Sequence, residues 1–219
     1  MEILVTAGGT REDIDPVRGI TNYSTGRLGC LIAEKFIQGG AVVTYICSET
    51  AARPKDGRII TIRNTAQLLE KLEEVLHTRK YGAVIHTMAV SDYAPYKTAA
   101  EKIASSSPYL VVVLKKQPKV IRRVKEIQPD TLLVGFKLLS GAGEKELIKG
   151  ANKLMDESRA DYVLANALED IHGDVHKGLL LNKNGIVGRG NSKEEIAEII
   201  WRLIDENNNI GHYGQHRGL

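Results

Sequence analysis

Short apolar runs alternate with amphipathic segments along most of the chain. Apolar stretches ended by turn residues predict strands, and apolar residues at helical spacing predict helices. The predicted strands are residues 3–6, 41–46, 59–62, 83–85, 110–114, 132–136 and 162–165, and the predicted helices are residues 25–38, 65–79, 118–127 and 144–158. This alternation predicts a Rossmann-like, doubly wound α/β fold, with a mainly parallel sheet and helices on both faces.

The last part of the chain departs from this alternation. Two apolar runs flank Asn184-Gly185, a pair that favours a primed turn, so a C-terminal β-hairpin is predicted. Ser192 and Glu195 fit a capping box at the start of a last helix. The sequence predicts a single domain over residues 1–206 and a loose, polar tail over residues 207–219.

Composition narrows the class of protein. Apolar residues make up 42% and charged residues 26%, which is normal for a soluble globular protein. No apolar run is long enough for a membrane span, and no basic region precedes the first apolar stretch as in a signal peptide. Cys30 and Cys47 lie in apolar patterns and are expected to be buried thiols. We therefore expect a cytoplasmic protein that does not contact membranes.

The net charge of +3 is too small to indicate a nucleic-acid partner. Basic residues do cluster between residues 115 and 125, but no aromatic residues interleave with them to form a stacking platform. We interpret this cluster as a solvated helix face beside a phosphate site, and we expect no nucleic acid.

Two loops at predicted strand ends carry the candidate chemistry, because ligands of open α/β sheets bind beyond the carboxyl ends of the strands. Gly8 and Gly9 follow the first strand, where glycines let backbone N–H groups approach an anion closely. Ser24 or Thr25 is expected to cap the next helix, whose N-terminus attracts phosphate. The G-x-G-x-x-G and Walker A patterns are missing, so phosphate binding and plain turn glycines are equally open here.

The second loop lies in residues 87–109, a segment too long for an ordinary connection and therefore expected to be functional. The carboxylate of Asp92 could hold Mg²⁺ beside phosphates or could cap a turn. Lys102, taken singly, fits a solvated charge, whereas Lys116 precedes a helix start that attracts phosphate. Together the two loops predict a phosphorylated ligand, such as a nucleoside triphosphate with Mg²⁺.

Several stretches resemble the phosphopantothenoylcysteine synthetase family, in the same order from residue 1 to about residue 205. The stretches are VTAGGTRE at 5–12, IDPVR at 14–18, TNYSTG at 21–26, AVSDY at 89–93, EKI at 101–103, VGF at 134–136 and LAN at 164–166. The resemblance implies a ligase that joins 4′-phosphopantothenate to cysteine through an acyl-nucleotidylate and releases pyrophosphate. Because the chain begins at this signature, it resembles the stand-alone form, and a separate decarboxylase would act downstream.

The resemblance also implies the site residues. Asn22 would hold the acyl intermediate, Lys102 would act on the developing charge of the triphosphate, and Asp92 would serve the nucleotide or the metal. The implied nucleotide-binding residues are Gly8, Gly9, Ser24, His86, Thr87, Met88, Asp92, Lys102, Lys116, Pro118, Lys119, Val120, Ile121, Phe136 and Lys153. His86 to Met88 would contribute backbone groups, and Phe136 either flanks the base or is a core aromatic. The family implies CTP or ATP with Mg²⁺, no flavin, and a homodimer built partly by residues 87–109.

Nucleotide choice and the class of protein are the open points. The family usually carries two base-linked lysines four apart on the helix before residues 162–165. Lys153 lies near the first position, but Ser158 or Arg159 lies near the second. We favour CTP over ATP. A non-catalytic nucleotide-binding module is one alternative, and an NAD(P)-dependent oxidoreductase, with Glu49 on the ribose, is another.

Overall fold

The computed structural model describes residues 1–173 and 175–214, with side chains as far as residue 207. In chain order its strands are β1 (Glu2–Ala7), β2 (Arg11–Asp13), β3 (Gly19–Thr21), β4 (Val42–Ser48), β5 (Arg58–Ile62), β6 (Ala83–His86), β7 (Tyr93–Pro95), β8 (Leu114–Lys116), β9 (Leu132–Leu139), β10 (Tyr162–Ala167), β11 (Ile171–His172), β12 (Val175–His176), β13 (Gly178–Asn182) and β14 (Gly185–Gly190). Its helices are α1 (Arg27–Gln38), α2 (Thr65–Thr78), α3 (Val120–Ile127), α4 (Glu144–Ser158) and α5 (Lys193–Gly214).

The central sheet has eight strands in the order β14-β13-β10-β9-β6-β1-β4-β5. The six strands from β10 to β5 pair in parallel, while β13 and β14 add an antiparallel hairpin at one edge. The chain moves from β1 outward through β4 to β5, then returns to the other side of β1 with β6. The strand order therefore reverses between β1 and β6, and the predicted doubly wound fold is confirmed.

The five helices cover both faces of the sheet. One core forms where α1 and α5 pack on the sheet, and a second forms under α2, α3 and α4. The helices are amphipathic at the expected spacing, as in α2, which buries Leu68, Leu72 and Val75. Burial of one such side chain stabilises the fold by about 1.5–3 kcal/mol. Cys30 and Cys47 are free, buried thiols in the first core, as predicted.

The C-terminal hairpin and the start of the last helix confirm the sequence pattern. Asn182 pairs with Gly185, so the tight turn lies one residue earlier than the Asn184-Gly185 pair suggests. The N–H of Glu195 donates to Ser192 Oγ at 3.1 Å, while the Glu195 carboxylate accepts from the N–H of Asn191 at 2.8 Å. The α5 helix continues to Gly214, past the predicted start of the tail, and residues 215–219 lie outside the described part of the chain.

The predicted strand at residues 110–114 is wrong. Residues 110–113 lie outside strands, and β8 (Leu114–Lys116) pairs with β7 as a two-stranded ribbon apart from the central sheet. The apolar run was misleading because its side chains face solvent, with Val111 84% exposed and Val113 67% exposed. We call residues 93–116 the arm. In the described parts of the chain, no helix is long and apolar enough to span a membrane.

Candidate phosphate and substrate crevice

The loops after β1 and β6 meet at the reversal of strand order, where ligands of this fold class bind. The N–H of Ala89 donates to the carbonyl of Gly8 at 2.8 Å, and the N–H of Thr10 donates to the carbonyl of Ala89 at 3.2 Å. A parallel bridge between Gly9 and Ala89 results. The two loops that the sequence predicted to carry the chemistry therefore meet at one edge of the sheet, and we call the surface along them the crevice.

Both glycines after β1 are required by close packing. Gly8 has φ +88°, and a Cβ there would lie 2.1 Å from Ser48 Oγ. A Cβ on Gly9 would lie 2.4 Å from the carbonyl oxygen of Asn22. The glycines are thus needed to bring this loop against its neighbours, whether or not their N–H groups also meet an anion.

The α1 helix begins at the same crevice, but its predicted cap is wrong. The N-cap residue is Gly26 in the left-handed conformation, and no described side chain caps the helix, so neither Ser24 nor Thr25 has this role. The helix packs tightly on the sheet, because a Cβ on Gly29 would lie 2.6 Å from Thr87 Oγ1. The uncapped first turn beside Thr87 is suited to an anion, which would satisfy its N–H groups.

Asn22 spans the two walls of the crevice. It directly follows β3, whose residue Thr21 donates from its hydroxyl to the carbonyl of Thr10 at 2.9 Å. The Asn22 side-chain amide donates to the carbonyl of Val90 at 3.2 Å. Asn22 is exposed, and the following Tyr23 is fully exposed. The structure thus places the candidate catalytic amide at the mouth of the crevice.

A buried polar network below the crevice was missed by the sequence analysis. Thr10 Oγ1 accepts from the N–H of Ser91 at 2.9 Å and lies 3.3 Å from Thr65 Oγ1. The carboxylate of Glu12 accepts from the N–H and the hydroxyl of Thr65 at 2.9 and 2.7 Å. These bonds fix both loops before any ligand binds. The only sequence signal was the dense polar spacing of residues 10–12 after a buried strand.

His86 to Met88 lie at the base of the crevice, with their side chains largely turned away from solvent. The ring of His86 is buried, and its Nδ1 lies 2.8 Å from Thr6 Oγ1. Burial lowers the pKa of His86 to about 4, so the ring is neutral at pH 7. The N–H of Thr87 already donates to the carbonyl of Thr6, and Met88 belongs to the core. Of these three residues, His86 and Met88 are buried and Thr87 is half-buried.

Asp92 and Lys119 form an ion pair of 2.6 Å at the rim of the crevice. Lys119 is the N-cap residue of α3, and Gln117 joins the two loops by donating its N–H to the carbonyl of Asp92. Lys116 is exposed on β8, whereas Val120 and Ile121 are buried and offer a ligand only their backbone. The helix starts at Val120, two residues after the predicted start at Pro118.

Most of the basic cluster after residue 115 is neutralised by carboxylates. Arg122 pairs with Glu157, Arg123 pairs with Glu73 and Glu126, and Lys125 pairs with Asp161. The positive charge that the sequence displays there is therefore balanced within the fold.

Three candidate residues have no described contact with the crevice walls. Lys102 is exposed, and its neighbour Ile103 is bonded to the loop that joins β2 and β3. Phe136 is half-buried and packs on the core, which favours the interpretation as a core aromatic. Lys153 lies on the outer face of α4, where it approaches Glu157 to 3.9 Å.

The fold and this crevice define a Rossmann-like α/β protein whose glycine loop and uncapped helix start lie at the reversal of strand order. The model of the DNA/pantothenate metabolism flavoprotein C-terminal domain matches residues 1–207, and the chain belongs to that family. The resemblance to the phosphopantothenoylcysteine synthetases is thereby confirmed.

Similar proteins agree with this assignment. A solved DNA/pantothenate metabolism flavoprotein from Streptococcus pneumoniae is 38% identical, with a TM-score of 0.88 over 94% of this chain and 99% of that one. The coenzyme A biosynthesis bifunctional protein CoaBC from Thermococcus kodakarensis is 38% identical over 93% of this chain and 51% of its own length. A solved C-terminal domain of a CoaBC protein is 27% identical, with a TM-score of 0.75. The chain spans about half the length of the curated relatives it matches.

Proposed function

We propose that this chain is a ligase that joins 4′-phosphopantothenate to cysteine in coenzyme A biosynthesis. The carboxylate of 4′-phosphopantothenate attacks the α-phosphate of a nucleoside triphosphate, and pyrophosphate leaves. The amine of cysteine then attacks the acyl-nucleotidylate carbonyl and expels the nucleoside monophosphate. The proposal depends on one observation in this member of the family. Asn22 follows the β3 strand and donates a hydrogen bond to the loop after β6, so it connects the two loops of the crevice.

The crevice meets the physical demands of the first step. The uncapped start of α1 and the glycine loop after β1 offer backbone N–H groups to phosphate oxygens. Lys116 and Lys119 supply positive charge for the triphosphate, and the family resemblance assigns the same role to Lys102, which is exposed and has no described contact with the crevice walls. The Asn22 amide donates a hydrogen bond without adding charge, which suits an acyl-nucleotidylate whose carbonyl oxygen gains charge as cysteine attacks.

Mg²⁺ fits the donor chemistry at Asp92. Among the described residues, no group of three His, Cys, Asp or Glu side chains could hold a metal alone. Mg²⁺ is commonly held by one or two carboxylates together with substrate phosphates and water. Asp92 would hold the ion once Lys119 turns from this carboxylate to the triphosphate, and the ion would neutralise phosphate charge.

We further propose that CTP is preferred over ATP and that no flavin is used. The nucleotide preference follows the family resemblance. Ser158, near the second base-linked position, is buried and donates its hydroxyl to the carbonyl of Leu154 at 2.6 Å. Arg159 is exposed just after α4. Base recognition in this chain would therefore use fewer lysines than in other members.

The chain is proposed to act as a homodimer in the cytoplasm, with a decarboxylase that uses its product. The arm supports the homodimer, because it exposes a run of apolar side chains that includes Tyr109, Val111 and Val113. A second copy that covers the arm would also help to exclude water from the reactive acyl phosphate.

Pyrophosphate release tests the proposal directly. The protein would be incubated with Mg²⁺, 4′-phosphopantothenate and cysteine, and with either CTP or ATP. We expect pyrophosphate to be released only when 4′-phosphopantothenate is present, and faster with CTP than with ATP. Folded protein that binds nucleotide but releases no pyrophosphate with either would instead support a non-catalytic nucleotide-binding module.

A further inference from the structure

Asp15 is fully buried although it lies in the surface loop between β2 and β3. Its relative exposure is 0%. The carboxylate oxygen Oδ1 accepts hydrogen bonds from the N–H groups of Val17 and Arg18, both at 2.8 Å. The other oxygen, Oδ2, accepts from the N–H of Ile103 at 3.2 Å and pairs with Arg18 Nε at 3.0 Å. One oxygen thus shapes the loop, and the other reaches a segment 88 residues away in the chain.

Further hydrogen bonds join that segment to the same loop. The N–H of Ala99 donates to the carbonyl of Ile14 at 2.9 Å, and the hydroxyl of Thr98 donates to the carbonyl of Asp13 at 3.0 Å. Arg18 Nη2 donates to the carbonyl of Ile103. The segment of residues 98–103 is therefore attached to the loop at both of its ends, and Lys102 lies directly beside the attachment at Ile103.

The loop that holds this segment also leads to Asn22. The β2 and β3 strands pair from Arg11 with Thr21 to Asp13 with Gly19, and Asn22 follows at the crevice end. Asp15 lies at the opposite end of this ribbon. The two candidate catalytic residues, Asn22 and Lys102, are thus connected through one short hydrogen-bonded ribbon.

We propose that Asp15 is a positioning residue that holds the Lys102 segment in a fixed relation to Asn22. The inference rests on the proposed ligase function, and it adds a buried residue that would act through Lys102 and Asn22. Fixing two groups of one site on a common support limits the orientations that must be ordered before reaction.

The carboxylate suits this role better than an amide would. Burial alone would raise the pKa of Asp15, but hydrogen bonds from the N–H groups of Val17, Arg18 and Ile103 outweigh burial, so the pKa lies below its ordinary range. An ionised carboxylate accepts at both oxygens. In Asp15→Asn, the amide oxygen can keep the two bonds within the loop, whereas the amide nitrogen would face two donors, Ile103 N–H and Arg18 Nε. The substitution therefore removes the hydrogen bond from the N–H of Ile103, while the bonds within the loop and the attachment at Thr98 and Ala99 remain.

Amide hydrogen exchange tests the attachment without any substrate. We expect exchange at Ile103 to become about 10- to 100-fold faster in Asp15→Asn, since a hydrogen bond to a charged acceptor is lost. Ala99, bonded to the carbonyl of Ile14, should change less. Asp13→Asn is the matched control, because its carboxylate pairs with Arg11 and Arg63 and not with the segment. Unchanged exchange at Ile103 in Asp15→Asn would overturn the attachment.

A double-mutant cycle on turnover tests the positioning role. We expect Asp15→Asn to lower kcat by about 10-fold or more, because small misplacements of catalytic groups are costly. In a Lys102→Gln background the same substitution should change kcat by less than about twofold, because the positioned group is already gone. Equal fold-losses in both backgrounds would show that Asp15 acts on the fold in general and would overturn the proposal.

The two levels of the hypothesis fail in different ways. Wild-type protein that releases no pyrophosphate with CTP or ATP would overturn the ligase function, and the positioning role with it. Active wild-type protein with an additive cycle would overturn only the role of Asp15.

Discussion

The crevice and the arm contrast in how far the chain itself determines their structure. The crevice loops are joined by backbone bonds, by tight glycine contacts and by a buried network around Thr10. The arm is bonded to the loop between β2 and β3 through residues 98–103, but farther along it the apolar side chains of Tyr109, Val111 and Val113 face solvent. One region is prepared before any ligand arrives, whereas the other has surface that this chain alone does not cover.

This difference separates two kinds of sensitivity to mutation. Changes in the crevice should act on folding or on chemistry within one chain. Changes in the arm should leave the single chain folded and act on what covers the arm. The four substitutions or conditions below test this separation, from the largest expected effect to the smallest.

Gly8→Ala should be the most damaging change in the crevice. Alanine would be strained in the left-handed backbone conformation of Gly8. Its Cβ would also lie 2.1 Å from Ser48 Oγ. We expect the free energy of unfolding to fall by about 4 kcal/mol, from backbone strain and overpacking together. Chemical denaturation of the wild type and the variant measures this change in the free energy of unfolding. Gly40→Ala is the control, because Gly40 has φ +80° with no atom within 4 Å of the added Cβ, and it should lose about 1 kcal/mol. Equal losses would show that packing at Gly8 is loose.

Acid should destabilise the crevice through His86. The unfolded histidine binds a proton below about pH 6.5, whereas the buried ring stays neutral until about pH 4. The unfolded state therefore binds more protons in this window, and stability falls as the pH falls from 6.5 to 4, by about 3 kcal/mol. The test is to measure the free energy of unfolding from pH 6.5 to pH 4 in the wild type and in His86→Asn, and to compare the two pH dependences. An identical pH dependence in the two proteins would show that His86 is accessible to protons in the fold.

Asn22→Asp should separate chemistry from binding. The substitution replaces the amide donor with a negative charge beside the carbonyl of Val90, where we propose that the acyl-nucleotidylate binds. We expect the cysteine step to slow by about 100-fold, as for the loss of one oxyanion donor, while nucleotide affinity changes little. Single-turnover measurements of pyrophosphate release and of product formation distinguish the two steps. Normal product formation would contradict the role given to Asn22.

Val111→Asp should have the smallest effect on the single chain. Val111 is 84% exposed on the arm, so the free energy of unfolding of the protomer should change by less than about 0.5 kcal/mol. The proposed dimer should nevertheless dissociate at higher protein concentrations than the wild-type dimer, as measured by analytical ultracentrifugation. Val187→Asp, at an exposed position on the edge strand β14, is the control that should leave association unchanged. Identical association by both variants and wild type would remove the arm from the interface.

The sequence predicted the sheet well because buried parallel strands and amphipathic helices leave periodic patterns. Strands such as β4 and helices such as α4 therefore agree closely with their predicted ranges. The apolar run at residues 110–114 has the same local pattern but no sheet neighbour, and only the tertiary structure distinguishes the two cases.

The site was only partly predictable, for a similar reason. Gly8, Asn22 and Asp92 stood out because they match motifs at strand ends. The roles of Thr10, Glu12 and Asp15 depend on partners such as Thr65 and Ile103 that are distant in sequence, so no local pattern reveals them. The absent cap of α1 was missed because a glycine N-cap resembles an ordinary turn residue.

The buried thiols have a consequence for sulfur chemistry. Burial raises the pKa of Cys30 to about 11, and it also raises the pKa of Cys47. Both thiols are therefore protonated and shielded at neutral pH. Because the thiolate is the form that attacks disulfides, neither sulfur is reactive. Under the proposed ligase function, the protein takes free cysteine and meets cystine as well whenever its surroundings become oxidising. This chain offers cystine no reactive thiol of its own, so mixed disulfides that would block the protein should not form at either cysteine.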